Sequence, residues 1–293
     1  MMNPSVATRT TTWVCRGFAA PSAAHAAKPM QDAILSRPAG GGPAELATVA
    51  VCDGHGHAKH FRSGIGSKVA ATAAVESLSA LMKQLARTEV RESMLPVFRA
   101  KLAREIYDRW QEIVARHAAC EPFPERRLGK LTEGERSLVE RFPQVAYGST
   151  MLAASFGARF GLLVRIGDGV IACCNDAGET QLPFQEAEKQ GPQTASLSLP
   201  NAVDLIEVRL VSYGSDPPPA FVALASDGYP DAVGGVQEFL RRVKVFHGLM
   251  RDQGVGGFAK ELARHLQDEQ GSLFDDTTIG LLIRSDFAAG RRS

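Results

Sequence analysis

The apolar positions of this chain follow two different periods. In residues 45–52 the run Leu46-Ala47-Thr48-Val49-Ala50-Val51-Cys52 is almost continuously apolar, as expected of a strand covered on both faces, and it stops abruptly at Asp53-Gly54-His55-Gly56. From Ser63 to about Leu85, Ile65, Val69, Ala73, Val75, Leu78 and Leu81 recur at helical spacing, and a second amphipathic stretch runs from Val90 to about Ala118. Residues 121–131 are charged and irregular. Residues 132–141 then open with Thr132-Glu133-Gly134-Glu135, the Thr-to-Glu spacing of a capping box, which predicts a helix.

Short strands are expected at 12–15 and 33–36, joined by an Ala/Pro-rich loop. Segments 149–156, 160–166, 170–174 and 180–182 are separated by turns at Gly157-Ala158-Arg159, Gly167-Asp168-Gly169 and Asn175-Asp176-Ala177-Gly178, which predicts an antiparallel meander. Residues 185–204 are polar and turn-rich, the composition of a mobile loop. Strands are expected at 205–210 and 220–225, the second ending at Asp227-Gly228. Helices at about 236–249 and 257–270 precede a last strand at 277–283, beside Asp275-Asp276. This order gives an α+β fold of mostly antiparallel sheets with helices on their outer faces. A doubly wound parallel sheet does not fit, because the middle strands follow one another too closely for helical crossovers.

A chain of 293 residues with 44% apolar content buries a substantial core, and no long spacer divides it. One domain over residues 11–284 is expected, with a lead-in at 1–10 and a tail at 285–293. Lys and Arg number 33 against 32 Asp and Glu, a balance that argues against a nucleic-acid or anionic-membrane partner. The five cysteines match no CxxC spacing, and the neighbours Cys173 and Cys174 would point to opposite faces of a strand, so they are expected to be reduced thiols. No window approaches the ~20 apolar residues of a membrane span, and Thr10, Thr11, Thr12 and Arg16 interrupt any secretory signal core. A cytoplasmic protein is the expectation.

Chemistry enters at the strand ends. Asp53, Asp168, Asp227 and Asp275 stand where apolar strands stop or start, and Asp32 begins another. Desolvating a lone carboxylate costs several kcal/mol unless it is paired or metal-bound, so convergence on a cation explains them together. Hard oxygen ligands point to Mg²⁺ or Mn²⁺. His57 and His60 follow His55 closely, but lack thiolate or carboxylate partners at zinc spacing.

These residues resemble a known family. Gln31-Asp32-Ala33, Asp53-Gly54-His55-Gly56, Gly148-Ser149-Thr150, Ile166-Gly167-Asp168, Ala225-Ser226-Asp227-Gly228 through Asp231, and Asp275-Asp276-Thr277-Thr278 stand in the order and approximate spacing of the motifs of type 2C metal-dependent serine/threonine phosphatases, in a form similar to bacterial members. The resemblance covers about residues 11–284 and implies a four-layer α-β-β-α sandwich. It further implies that Asp53 bridges two divalent cations, that the Gly54 carbonyl and Gln31 attend one, and that Asp227 and Asp275 complete the other. Asp32 would hold metal-bound water, and His55 would be the acid for the leaving alkoxide. Asp168 and Asp231 match a third, weaker metal site. Such a pair of cations, about 3.5–4 Å apart, would acidify a water for in-line attack on phosphorus. Each of the last two acids also has a plain structural reading, Asp168 in a hairpin turn and Asp231 in the first turn of a helix. Ser149 and Thr150 are expected to be core packing, since no base is indicated beside them.

The chain departs from the pattern twice. Gln31 stands where the family usually has Glu, which weakens the second cation. Ala27 stands where a phosphate-binding Arg is usual, leaving Lys28 as a substitute point charge. The expected function is hydrolysis of phosphoserine or phosphothreonine in a phosphorylated protein, such as the target of a cognate serine/threonine kinase. The alternatives are a pseudophosphatase acting as a binding or regulatory module, or a phosphatase of small phosphorylated metabolites.

Overall fold

The computed structural model describes residues 11–22, 29–184, 194–213, 217–269 and 274–288. Strands β1 (Trp13–Ala20), β2 (Ala33–Arg37) and β3 (Ala47–Cys52) lead into helices α1 (Ser63–Leu85) and α2 (Leu95–Cys120). The short α3 (Glu125–Leu128) and α4 (Glu133–Arg141) follow, then β4 (Met151–Phe156), β5 (Phe160–Ile166), β6 (Val170–Cys174) and β7 (Thr180–Gln181). The chain continues through α5 (Ala202–Leu205), β8 (Glu207–Ser212), β9 (Phe221–Ala225), α6 (Gly228–Val233), α7 (Val236–Glu269), β10 (Thr277–Arg284) and α8 (Ser285–Ala288).

The strands form two antiparallel five-stranded sheets, one in the order β1-β10-β9-β6-β7 and the other β2-β3-β4-β5-β8. Three apolar clusters make four layers of them. Val49 and Val51 of β3 face Val222, Leu224 and Leu282 between the sheets. Ala50 and Cys52, the alternate residues of the same strand, pack with Ala70, Ala74 and Leu78 of α1 and Trp110 of α2. Beyond the first sheet, Ala223 and Ile279 pack with Phe239, Phe246 and Phe258 of α7. The continuous apolar run of β3 thus has a direct cause, since both of its faces are covered.

Most expected elements are present, including the α4 capping box, in which Thr132 and Glu135 satisfy each other's backbone N–H. The expected meander is not a single sheet. β5 spends its backbone bonds on β4 and β8, whereas β6 pairs with β9 and β7. Gly167-Asp168-Gly169, with Gly167 at φ 109°, therefore carries the chain from one sheet to the other instead of closing a hairpin. Three smaller differences accompany this: the irregular 121–131 segment contains α3, α6 begins directly at Gly228, and the two helices expected after 236 run together as α7, broken at Gly254. Cys173 lies between the sheets and Cys174 on the helix side, as alternation requires.

Candidate active site

Register alone makes the strand-end carboxylates neighbours. Ala33 of β2 faces Cys52 of β3, so Asp32 and Asp53, each one residue beyond, stand at the same end of one sheet. In the other sheet Ala225 faces Ile279, and the ladder is prolonged by Ser226 N–H donating to the Thr278 carbonyl at 3.0 Å, which brings Asp227 and Asp275 to one end. The Ser226 hydroxyl then donates to Asp32 Oδ2 at 2.8 Å, joining the ends of the two sheets.

Two glycines permit this approach. A side chain at Gly54 would bring its Cβ within 2.8 Å of the Gln31 carbonyl and of the Ser63 backbone, and one at Gly228 would strike the Asp276 carbonyl. The Asp53-Gly54-His55 turn is further held by the Gly148-Ser149-Thr150 segment. Asp53 N–H donates to Thr150 Oγ1 at 3.2 Å, Thr150 N–H to the Asp53 carbonyl at 2.8 Å, and His55 N–H to the Gly148 carbonyl at 3.1 Å. Ser149 and Thr150 are buried and act as the backbone splint of this turn.

The electrostatics show how tightly like charges have been gathered. Burial pushes Asp53 well above the usual carboxylate range, and Asp32, Asp227 and Asp275 add to it. Asp227 is pushed up to about 7 by burial and then by Asp168, Asp275, Asp32 and Asp231. Asp32 is raised to about 6 by burial, against the lowering effect of its hydrogen bonds. Its Oδ1 is buried without a hydrogen-bond partner. The carboxylates form an electrostatic cluster, not a closed cage: among the described residues no three His, Cys, Asp or Glu are grouped to hold a metal ion as they stand.

The remaining predicted residues divide. Asp168, on the link from β5 to β6, accepts from Thr194 Oγ1 at 2.7 Å, and Asp231 occupies the first turn of α6. Gln31 Nε2 is directed to the Ser63 hydroxyl and, at 3.4 Å, to the His55 carbonyl. His55 is pushed down to about 4 by burial and then by Lys59, so its imidazole is neutral near pH 7. His60 bonds the Val145 carbonyl at 2.5 Å and His57 lies 3.6 Å from Glu135, while the His60 ring packs against His55 with centroids 5.0 Å apart. Lys28 lies outside the described residues.

Three contributors had no role from the sequence: Asp276, Ser226 and Thr194. Asp276 accepts from Ser22 N–H at 3.0 Å and from Gln31 N–H at 2.6 Å, tying the β1–β2 connection to the start of β10. The acidic doublet at 275–276 was the available signal, because two adjacent acids at the start of a buried strand cannot both face one site.

Two antiparallel sheets packed face to face between helices, with carboxylates gathered at one edge, form a four-layer α+β sandwich. Residues 20–267 match the sequence family described as protein phosphatase 2C, and the chain belongs to that family. Solved structures share the fold. The serine/threonine phosphatase Stp1 from Staphylococcus aureus has a TM-score of 0.55 at 12% identity, with 92% of this chain and 94% of that chain covered. PppA, described as a key regulatory component of T6SS in Pseudomonas aeruginosa, has 0.54 at 13%, covering 93% and 97%. The catalytic domain of the serine threonine protein phosphatase PstP, solved with 2 manganese ions, has 0.51 at 16%, covering 94% and 99%. No curated protein matches the chain. Among the described residues no helix is long and apolar enough to cross a membrane.

Proposed function

We propose that this protein is a divalent-metal-dependent phosphatase that hydrolyses phosphoserine and phosphothreonine in protein substrates. The observation that carries this reading is the convergence of Asp53, Asp227 and Asp275 from two sheets, each near enough to shift its neighbours' proton affinity. Raised carboxylates and an unpartnered buried Asp32 oxygen are what a cation would relieve, and the all-oxygen donor set suits Mg²⁺ or Mn²⁺. Asp53, the Gly54 carbonyl, Asp227 and Asp275 would hold two such ions, Gln31 could offer its Oε1 to one, and Asp168 with Asp231 would attend a weaker third. When bound, the ions would supply electrophilic stabilisation of phosphoryl oxygens and lower the pKa of water.

The chain's own residues do the rest. Asp32, held by Ser226 through Oδ2, would orient a water with its other carboxylate oxygen. His55 stands on the turn directly after Asp53, and an incoming phosphoryl dianion would favour its imidazolium, the form that can give a proton to the leaving alkoxide. Lys28 is the candidate contact for substrate phosphate. The test is hydrolysis of an aryl phosphate with added Mn²⁺, in parent and Asp53→Asn protein. Loss of at least about a thousandfold in kcat/KM is expected, and undiminished turnover in the variant would sink the assignment.

A second reading, a binding module without turnover, is favoured by one observation, the neutral Gln31 with its amide committed to Ser63 and His55. Calorimetric titration with Mn²⁺ separates the two, since a pure binding module need not take up two ions.

A further inference from the structure

Two cavities open on either side of the His55-Gly56-His57 turn, and the hairpin of α3 and α4 walls both. The larger, about 670 Å³, extends from His55 to Leu138 and Phe142 on the hairpin and to Leu199 and Pro200 opposite. The smaller, about 250 Å³, joins Gln31 and Gly56 to Arg127.

Leu138 and Phe142 are 39% and 37% exposed, large apolar side chains left uncovered at the mouth of the larger cavity. Their exposure does not come from a loosely held helix. Val139 between them is fully buried, Arg136 of α4 bridges to Glu125 of α3 at 2.8 Å, and Glu135 lies 3.6 Å from His57 on the turn itself. The hairpin is therefore fixed against the site with an apolar edge facing outward. No carboxylate lines either cavity. Each has one Lys or Arg, Lys59 in the larger and Arg127 in the smaller, and neither makes an ion pair among the described residues.

We propose that this hairpin reads the sequence around the phosphorylated residue: the larger cavity takes a bulky apolar side chain adjacent to it, and Lys59 and Arg127 select against basic neighbours. The inference rests on the phosphatase reading above, because the cavity is continuous with the residue, His55, placed beside the phosphoryl group. The occupant is a polypeptide. A phosphorylated sugar or other wholly polar metabolite leaves the apolar wall of Leu138, Phe142, Leu199 and Pro200 uncovered. A phosphorylated polypeptide brings both the anion and an apolar side chain a few ångströms away, and the two free cations complement an acidic or neutral segment and repel a basic one.

The experiment uses peptides carrying a non-hydrolysable phosphonate analogue of phosphoserine, flanked on both sides by Leu, by Ala or by Lys, with binding followed by fluorescence anisotropy in Mn²⁺. The Leu peptide should bind about tenfold more tightly than the Ala peptide, the value of one well-buried apolar side chain, and the Lys peptide most weakly. The double variant Leu138→Ser/Phe142→Ser should bind the Leu and Ala peptides equally while hydrolysing aryl phosphate like the parent. Phe142→Ala alone serves if the double variant does not fold. Equal binding of Leu and Ala peptides by the parent overturns the proposal, as it would if another part of this chain or a second copy filled the cavity. A preference that survives in the variant also overturns it. If the parent hydrolyses no aryl phosphate, the catalytic reading fails separately, and the peptide preference still decides this inference.

Discussion

Replacing Asp227 by Asn in metal-free protein should stabilise it at alkaline pH, although it removes a residue placed at the heart of the site. Burial and the neighbouring Asp168, Asp275, Asp32 and Asp231 move the carboxyl from 3.8 to about 7. A displacement of that size corresponds to about 4 kcal/mol at ~1.4 kcal/mol per pH unit. Asp227 is only partly buried, so solvent screening leaves about 1–3 kcal/mol in the folding equilibrium. The sign follows from proton counting. The folded pKa lies above the unfolded one, so between 3.8 and about 7 the folded state binds more protons, and stability from this group declines as pH rises through that window. Below 3.8 both states are protonated and the cost disappears. His55 acts in the opposite sense, since its unfolded form takes up the proton between 6.5 and about 4, but it is common to both proteins and cancels in their difference. Urea unfolding in chelator, followed by the fluorescence of the buried Trp13 and Trp110, should therefore show Asp227→Asn more stable by about 1–3 kcal/mol near pH 8 and equal to the parent near pH 4. Adding Mn²⁺ should stabilise the parent far more than the variant. A variant that is less stable than the parent at pH 8 in chelator, or that gains as much from Mn²⁺, would refute the reasoning.

Two further substitutions probe the surroundings. Gln31→Glu adds a charged oxygen beside Gly56, and should tighten Mn²⁺ binding by about tenfold in calorimetry, because ligand charge raises affinity for a hard cation; weaker binding would mean that the amide's bonds to Ser63 and His55 matter more. Gly66→Ala should destabilise the fold by about 2–4 kcal/mol in the same urea assay, since its Cβ would strike the backbone carbonyl of Tyr147, which neither helix α1 nor the segment before β4 can withdraw cheaply. An unchanged midpoint would show that helix α1 can shift.

The site couples two kinds of order. Asp276 holds the chain entering β2 through Ser22 and Gln31, and Ser226 holds Asp32 from the other sheet. Neither Asp276 nor Ser226 needs to touch a substrate. Their substitution should loosen the relative placement of Asp32 and Asp227.

What the sequence determined by itself was local and periodic. The almost continuous apolar run of β3 fixed it as a doubly covered strand, Thr132 and Glu135 fixed the start of α4, and acids at abrupt strand ends marked where chemistry belongs. Together with motif order, these features made the family resemblance and the layered α+β architecture legible. The tertiary structure alone decided which strands share a sheet. Gly167-Asp168-Gly169 has the composition of a hairpin turn, but the partners of β5 and β6 are chosen by β8 and β9, about 40 and 50 residues further along the chain. It also decided the proton affinities, because desolvation and like-charge proximity arise only when Asp32 and Asp53 from one sheet meet Asp227 and Asp275 from the other. The α3–α4 hairpin shows the same division. Its cap was readable from four residues, whereas the cavity it walls arises from tertiary packing that buries Val139 and brings Leu138 and Phe142 beside His55.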